Sequence, residues 1–219
     1  MSLFEEAQRY LPRHLTEDDT KKLFEDIKAF PGNLDKRLYM TPVKEDEHAL
    51  LQGDGIGNML VVNLPQPEIR PTPVMLFSNS CDSDIANERA FPTALCYAPI
   101  FSLEKYLASL RKRKDEKYVQ DHESAIRRQQ LTQIFFLPRS GKLEGDSIVF
   151  LDRINNCASK SFDRERLPND RLFSLSTFGH WLFLLKLSIH FSRLTDKTER
   201  GGAAEPAKRS EEVGPPTLH

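Results

Sequence analysis

The sequence predicts an α+β chain, mainly β, in which a small barrel is preceded by N-terminal helices and closed by a C-terminal packing helix. Three observations carry this. Short apolar runs separated by turn residues recur between residues 50 and 156, the pattern of a small all-β core. Within them, residues 102–130 change to helical spacing and read as an insertion. The longest apolar segment, Phe173 to Leu194, has the length of a helix rather than a strand. With 219 residues and 39% hydrophobic content, the chain can bury one sizeable core, or one core plus a small appendage.

Composition narrows the function classes. A formal net charge of −1 gives no global attraction to nucleic acid or to an anionic membrane, so such a contact needs a local patch. The three cysteines, Cys81, Cys96 and Cys157, are widely spaced without a CxxC pair, which indicates neither a disulfide framework nor a zinc knuckle. The opening Met-Ser-Leu-Phe-Glu-Glu lacks the basic start and apolar run of a signal peptide, so a cytoplasmic location is the default expectation. No cofactor and no metal is expected, and a homodimer is compatible with the sequence.

In chain order, Leu3, Phe4, Ala7 and Leu11 fall at helical spacing, with Ser2 as N-cap and Pro12 as stop. Leu23, Phe24, Ile27 and Phe30 form the stripe of a second helix from Thr16, ended by Pro31-Gly32-Asn33. Residues 1–34 are thus a helical extension, for packing or for docking a partner. The glycines around Gln52-Gly53-Asp54-Gly55-Ile56-Gly57 suggest a phosphate loop, but no Gly-Lys-Ser/Thr follows and a strand comes next; a turn or bulge fits better.

The central stretch is Arg70-Pro-Thr-Pro-Val-Met-Leu-Phe-Ser-Asn-Ser-Cys-Asp82. Its unbroken apolar run predicts a strand at 73–79 buried on both faces, with the prolines fixing its entry. Ser78, Asn79, Ser80, Cys81, Asp82 and Asp84 follow at its exit, either as a simple turn or as a functional loop. Cys81 reads as a buried filler or as a nucleophile awaiting a base. Asp82-Ser83-Asp84 reads as a turn or as oxygen ligands for a hard cation.

Further strands are expected at 93–100, 131–137 and 147–156, the last two joined as a hairpin. Between them, Arg111, Lys112, Arg113 and Lys114 form the cluster best suited to a phosphate backbone, or else a solvated face of the helical insertion. Residues 174–194 close the barrel as a buried helix rather than a membrane span, because His180, Lys186 and His190 interrupt it; Lys186, His190 and Arg193 share one polar face. The barrel unit therefore spans 38–194, and 195–219, rich in Gly, Pro and charge, reads as a disordered tail whose removal leaves folding unchanged.

Four segments resemble the PemK/MazF-like family of SH3-like barrels. Gln52-Gly53-Asp54 resembles its opening turn, Arg70-Pro71 with Val74–Asn79 its central strand, Ala98-Pro99-Ile100 the end of its next strand, and Leu143–Ile154 its later "L-dSvv-L-d-qI" stretch. The resemblance covers roughly residues 50 to 160, and it implies an SH3-like barrel. It also implies a metal-independent endoribonuclease, a toxin or defence component acting on single-stranded RNA. In that chemistry a hydroxyl and an adjacent arginine serve cleavage beside the 2′-oxygen. Arg70 and Ser102 are the matching residues, with Asp82 as a third catalytic candidate. Arg70 stands two residues early, with Thr72 in the ungapped position, and Ser102 one residue late, with Phe101 in the family's threonine position. Ser78, Asn79, Ser80, Cys81 and Arg111 to Lys114 are the substrate-binding candidates. Arg70 and the Ser78–Asp82 loop are expected on one concave surface with Ser102 at its edge. The alternative is a non-catalytic barrel binding a protein or nucleic-acid partner, such as an antitoxin, in a toxin–antitoxin or phage-defence system.

Overall fold

The computed structural model describes residues 37–41, 47–84, 87 and 90–192, with isolated positions Asp18, Lys22, Glu25 and Gly32. Asp18, Lys22 and Glu25 are helical and exposed, at the spacing of the second predicted helix. The rest of the 1–34 extension, Arg193 and the 195–219 tail lie outside the described residues.

Strand β3 (Glu68–Leu76) organises the sheet. Val74 and Leu76 enter one apolar cluster with Ile56, Val61, Leu95 and Tyr97, while Met75 and Phe77 enter another with Ala98, Phe135 and Phe183. Burial on both faces is the physical content of the unbroken apolar run. Each such fully buried side chain contributes roughly 1.5–3 kcal/mol.

Around β3 lies an eight-stranded antiparallel sheet, mixed α+β and mainly β in character. Its other strands are β1 (Tyr39–Met40), β2 (Gly55–Asn63), β4 (Ala94–Ser102), β5 (Ile134–Leu137), β6 (Ser147–Phe150), β7 (Asn155–Ala158) and β8 (Arg171–Leu175). The order runs β1-β8-β2-β3-β4-β6-β5, with β7 also on β4. On one flank β4 holds β7 through Ala94–Tyr97 and then β6 through Ile100–Ser102; on the other it meets β3 only at Val74, Met75 and Leu76. The path ends at β1 and β5, so the sheet curls without closing on itself.

Two expectations about strands are corrected. Pro71 and Pro73 lie inside β3 rather than before it. They are tolerated because, although β2 pairs β3 alongside Pro71, β4 does not pair that part of β3, which leaves one flank without a ladder for a missing N–H to break. Strand β8 was unforeseen: the apolar segment from Phe173 is split by Ser176, whose N–H donates to Leu38 O (2.9 Å). The expected β5–β6 hairpin is present, with Phe136 opposite Ile148.

Among the described residues, helices α1 (Ser80–Ser83), α2 (Leu103–Arg111), α3 (Glu116–Arg127), α4 (Leu167–Asp170) and α5 (Thr177–Ser192) accompany the sheet. Asp115 caps α3 by accepting from Tyr118 N–H (2.8 Å). The α2–α3 pair is the helical insertion expected at 102–130. Helix α5 packs Phe178, Trp181, Leu182 and Phe183 on the larger cluster. Its Gly179 meets the chain at Leu38 so closely that a Cβ would stand 2.2 Å from Leu38 O. Among the described residues no helix is long and apolar enough to cross a membrane.

Two sets of buried polar side chains are paired across elements. Asp54 and Arg171 form an ion pair at 3.3 Å with side chains 0% and 6% exposed. Burial pushes the Asp54 carboxyl upward, opposed by the neighbouring Ser174 hydroxyl and by the Arg171 charge. Lys186 is buried and points inward, not on an exposed polar face. Its ammonium donates to Gln129 O (3.0 Å), Gln129 Oε1 (3.0 Å) and Leu131 O (2.8 Å). Gln129, at φ 58° in the left-handed region, accepts from Phe136 N–H (3.1 Å) and donates to Phe136 O (2.7 Å). Its side chain thereby occupies the outer edge of β5. The outer edge of β2 is covered in the same manner: Tyr97 Oη donates to Leu60 O (2.6 Å) and Val62 N–H donates to Asn155 Oδ1 (2.8 Å).

Candidate nucleic-acid interface

The residues singled out in sequence fall into three places rather than one. At the exit of β3, Ser78 Oγ accepts from Cys96 N–H (2.7 Å) and donates to Ala94 O (3.3 Å), tying β3 to the start of β4. Asn79 caps α1 by accepting from Cys81 N–H (2.9 Å). Ser80 Oγ accepts from Gln52 N–H (2.9 Å). Gln52 in turn donates to Phe77 O (2.7 Å) and accepts from His180 Nε2 (3.1 Å). Burial lowers the His180 pKa, so the ring stays neutral and structural. Cys81 and Asp82 are exposed. Ser80 and Cys81 line a cleft of about 340 Å³ together with His48, Asp84 and Arg164.

Arg70 lies toward the other end of β3. It faces Val61 across the ladder and pairs with Glu68 at 2.8 Å, 72% exposed. Six residue steps along the strand take it to Leu76, about 20 Å at the rise of extended chain. The expected single concave surface joining Arg70 to Ser78–Asp82 is therefore absent: the residues adjoin opposite ends of one strand. Ser102 ends β4 opposite Ser147 and caps α2 by accepting from Lys105 N–H (3.3 Å). Because β4 runs antiparallel to β3, Ser102 and Arg70 lie toward the same end of that pair.

The cationic run lies at the far end of α2. Arg111 pairs with Glu116 (3.1 Å), Lys112 and Arg113 are exposed, and Lys114 Nζ stands 5.1 Å from the Tyr118 ring centre. Residues 102–130 carry eight Lys/Arg against five Asp/Glu, in a chain whose net charge is −1.

A connected stripe of rings and cations, not expected from the sequence, runs from this corner across the insertion to the sheet. Tyr118 and His122 are nearly parallel (13°, centroids 5.8 Å apart), one turn apart on α3, at the margin of the buried face that Val119 and Ile126 form. His122 Nε2 meets Tyr106 Oη at 2.9 Å. Tyr106 contacts Phe150 edge-on at 5.7 Å, and Phe150 contacts Phe101 at 5.6 Å. The Arg153 guanidinium lies 4.3 Å from the Phe150 centre and 5.2 Å from that of Phe101. Burial pushes the Tyr106 hydroxyl pKa up, Tyr118 adds to this, and Arg113 and Arg153 oppose it. Burial also lowers the His122 pKa. The sequence signal was faint: Tyr118 and His122 at i and i+4, and a lone arginine after Asp152.

Among the described residues no group of three or more His, Cys, Asp and Glu is placed to hold a metal ion. No protein-family model and no curated protein matches the chain.

Proposed function

We propose that this chain is a divergent PemK/MazF-like protein that binds single-stranded RNA, its sheet curled in the manner of that family's SH3-like barrel but left open. Charge placement carries the reading. The α2–α3 insertion holds eight cations against five anions on a chain that is net negative, so attraction for a phosphate backbone is concentrated at one corner. The family assignment is supported by the order of the resembling segments, which become the β2 turn, β3, β4 and β6 in succession, followed by a packed terminal helix.

Binding is favoured over cutting. Cleavage needs a hydroxyl or base free to take the 2′-proton and a cation free to meet the developing phosphate charge. Ser102 Oγ is occupied by the Lys105 N–H, and Arg70 is held by Glu68. One observation favours the second reading, a metal-independent endoribonuclease acting within a toxin–antitoxin or defence system. The register directs Arg70 and Ser102 toward the same end of β3–β4. An exposed pair such as Arg70–Glu68 contributes only ~0–1 kcal/mol, so a phosphate could displace Glu68.

The test incubates purified protein with a long single-stranded RNA without added metal, following both retention and strand integrity. The expected result is salt-sensitive binding with intact RNA. Cleavage that disappears in Arg70→Ala would replace this reading with the nuclease. An absence of salt-sensitive binding would remove RNA from the account.

A further inference from the structure

The ring stripe extends the RNA-binding reading, on which it rests, from the phosphate backbone to the bases. We infer that Tyr118 and Arg153 form two stacking platforms for unpaired bases, one on the insertion and one beside β6, with Lys114 and its neighbours holding the backbone beside Tyr118. Single-stranded chains are bound by cationic grooves combined with flat groups on which bases stack, including arginine planes. Both kinds of group are present and pre-positioned. Arg153 already lies over the Phe150 ring at 4.3 Å, so its inner face is supported and its outer face is exposed. Tyr118 is 45% exposed and backed by His122, which is itself fixed by the Tyr106 hydroxyl at 2.9 Å. Rings held in place by neighbours lose little freedom when a ligand arrives. Simple packing does not require Tyr118 or Arg153, because α3 is anchored by Val119 and Ile126, which are 0% and 1% exposed.

The ligand class is thus a single strand with accessible bases. RNA and DNA share that chemistry and differ at the 2′-hydroxyl. Duplexes hide the base faces, so they should engage the cationic run alone.

The experiment measures fluorescence anisotropy with end-labelled oligouridylate, oligothymidylate, an abasic strand of equal length and a duplex. The full chain is compared with Tyr118→Ala, Arg153→Ala and Tyr118→Phe. The expected result is that each alanine variant weakens single-strand binding about tenfold, the loss of one stacked base. Tyr118→Phe should retain full affinity, and all variants should melt with the parent. The abasic strand and the duplex should bind more weakly than the RNA and be insensitive to either alanine change. Preference for RNA over DNA would add a 2′-hydroxyl contact to the platforms, while equal affinity would assign recognition to stacking alone; either supports the inference. If oligouridylate binds but the abasic strand binds equally, or neither alanine change weakens it, the platforms are refuted while RNA binding stands. If no strand binds, RNA binding itself is refuted.

Discussion

Replacing Gly179 with alanine sets two physical arguments against each other with opposite signs. Helix propensity alone favours the change, since glycine inside a helix costs roughly 0.8–1 kcal/mol relative to alanine. The structure opposes it, because the new Cβ would stand 2.2 Å from Leu38 O and 3.1 Å from the carbonyl carbon. Carbon–oxygen contacts begin near 3.3 Å, so about 1 Å of separation must be found. The atom in the way is backbone and is anchored twice. Leu38 O accepts from Ser176 N–H (2.9 Å), and the Leu38 side chain is 0% exposed. Retreat would weaken that hydrogen bond, at roughly 0.5–1.5 kcal/mol. It would also displace a packed side chain, and overpacking costs typically about 1–3 kcal/mol. Offset by the propensity gain, the net loss is about 1–3 kcal/mol, or a melting temperature lower by roughly 2–12 °C for a chain of this size. Thermal melting and urea denaturation of Gly179→Ala read it directly. An unchanged or raised melting temperature would show that Leu38 does not seat against α5.

The remaining stability predictions concern the buried charges. Asp54→Asn leaves Arg171 charged in a site where its side chain is 6% exposed, and should cost about 3–5 kcal/mol, seen as a large drop in urea midpoint. Lys186 has its pKa pushed down to about 7 by burial, whereas an unfolded lysine titrates near 10.4. Between those values the unfolded chain holds the extra proton, so this residue's contribution to stability rises with pH across that window; below it the cost of burying the charge is fully present. The urea midpoint should therefore gain between about pH 6.5 and pH 9, and that gain should shrink in Lys186→Met.

The central strand was legible because burial on both faces writes an unbroken apolar run, and Val74 to Phe77 alternate between two clusters as that run implies. The helical insertion was legible from its 3.6-residue spacing. Strand β8 was not, since the residues on either side of Ser176 and Thr177 are equally apolar, and the backbone turn at Ser176 divides strand from helix. Open closure of the sheet was likewise hidden, because strand count in a sequence does not state which edges meet. The polar run after β3 was conspicuous for a local reason. Ser78, Asn79 and Ser80 spend their hydrogen-bonding capacity on backbone amides within this corner of the fold. Arg153, Phe150, Tyr106 and Tyr118 become neighbours only once β6, α2 and α3 are assembled. No spacing along the chain records that meeting.

The single glutamine at the margin of β5 bears on how the chain behaves among copies of itself. Ile134–Leu137 is an Ile-Phe-Phe-Leu tetrapeptide, uncharged and rich in strand-forming side chains, at the end of the sheet path. Such a margin recruits further strands from other molecules when its amides are left open. Gln129 fills the one rung at Phe136 with a side-chain amide that matches the peptide group it replaces, and an ammonium from α5 keeps that amide turned inward. Helix α5 therefore acts as a latch on this adhesive segment. A nascent chain that has not yet docked that helix presents the segment without its cover, so the order in which the two parts emerge and meet governs how long it is exposed to self-association.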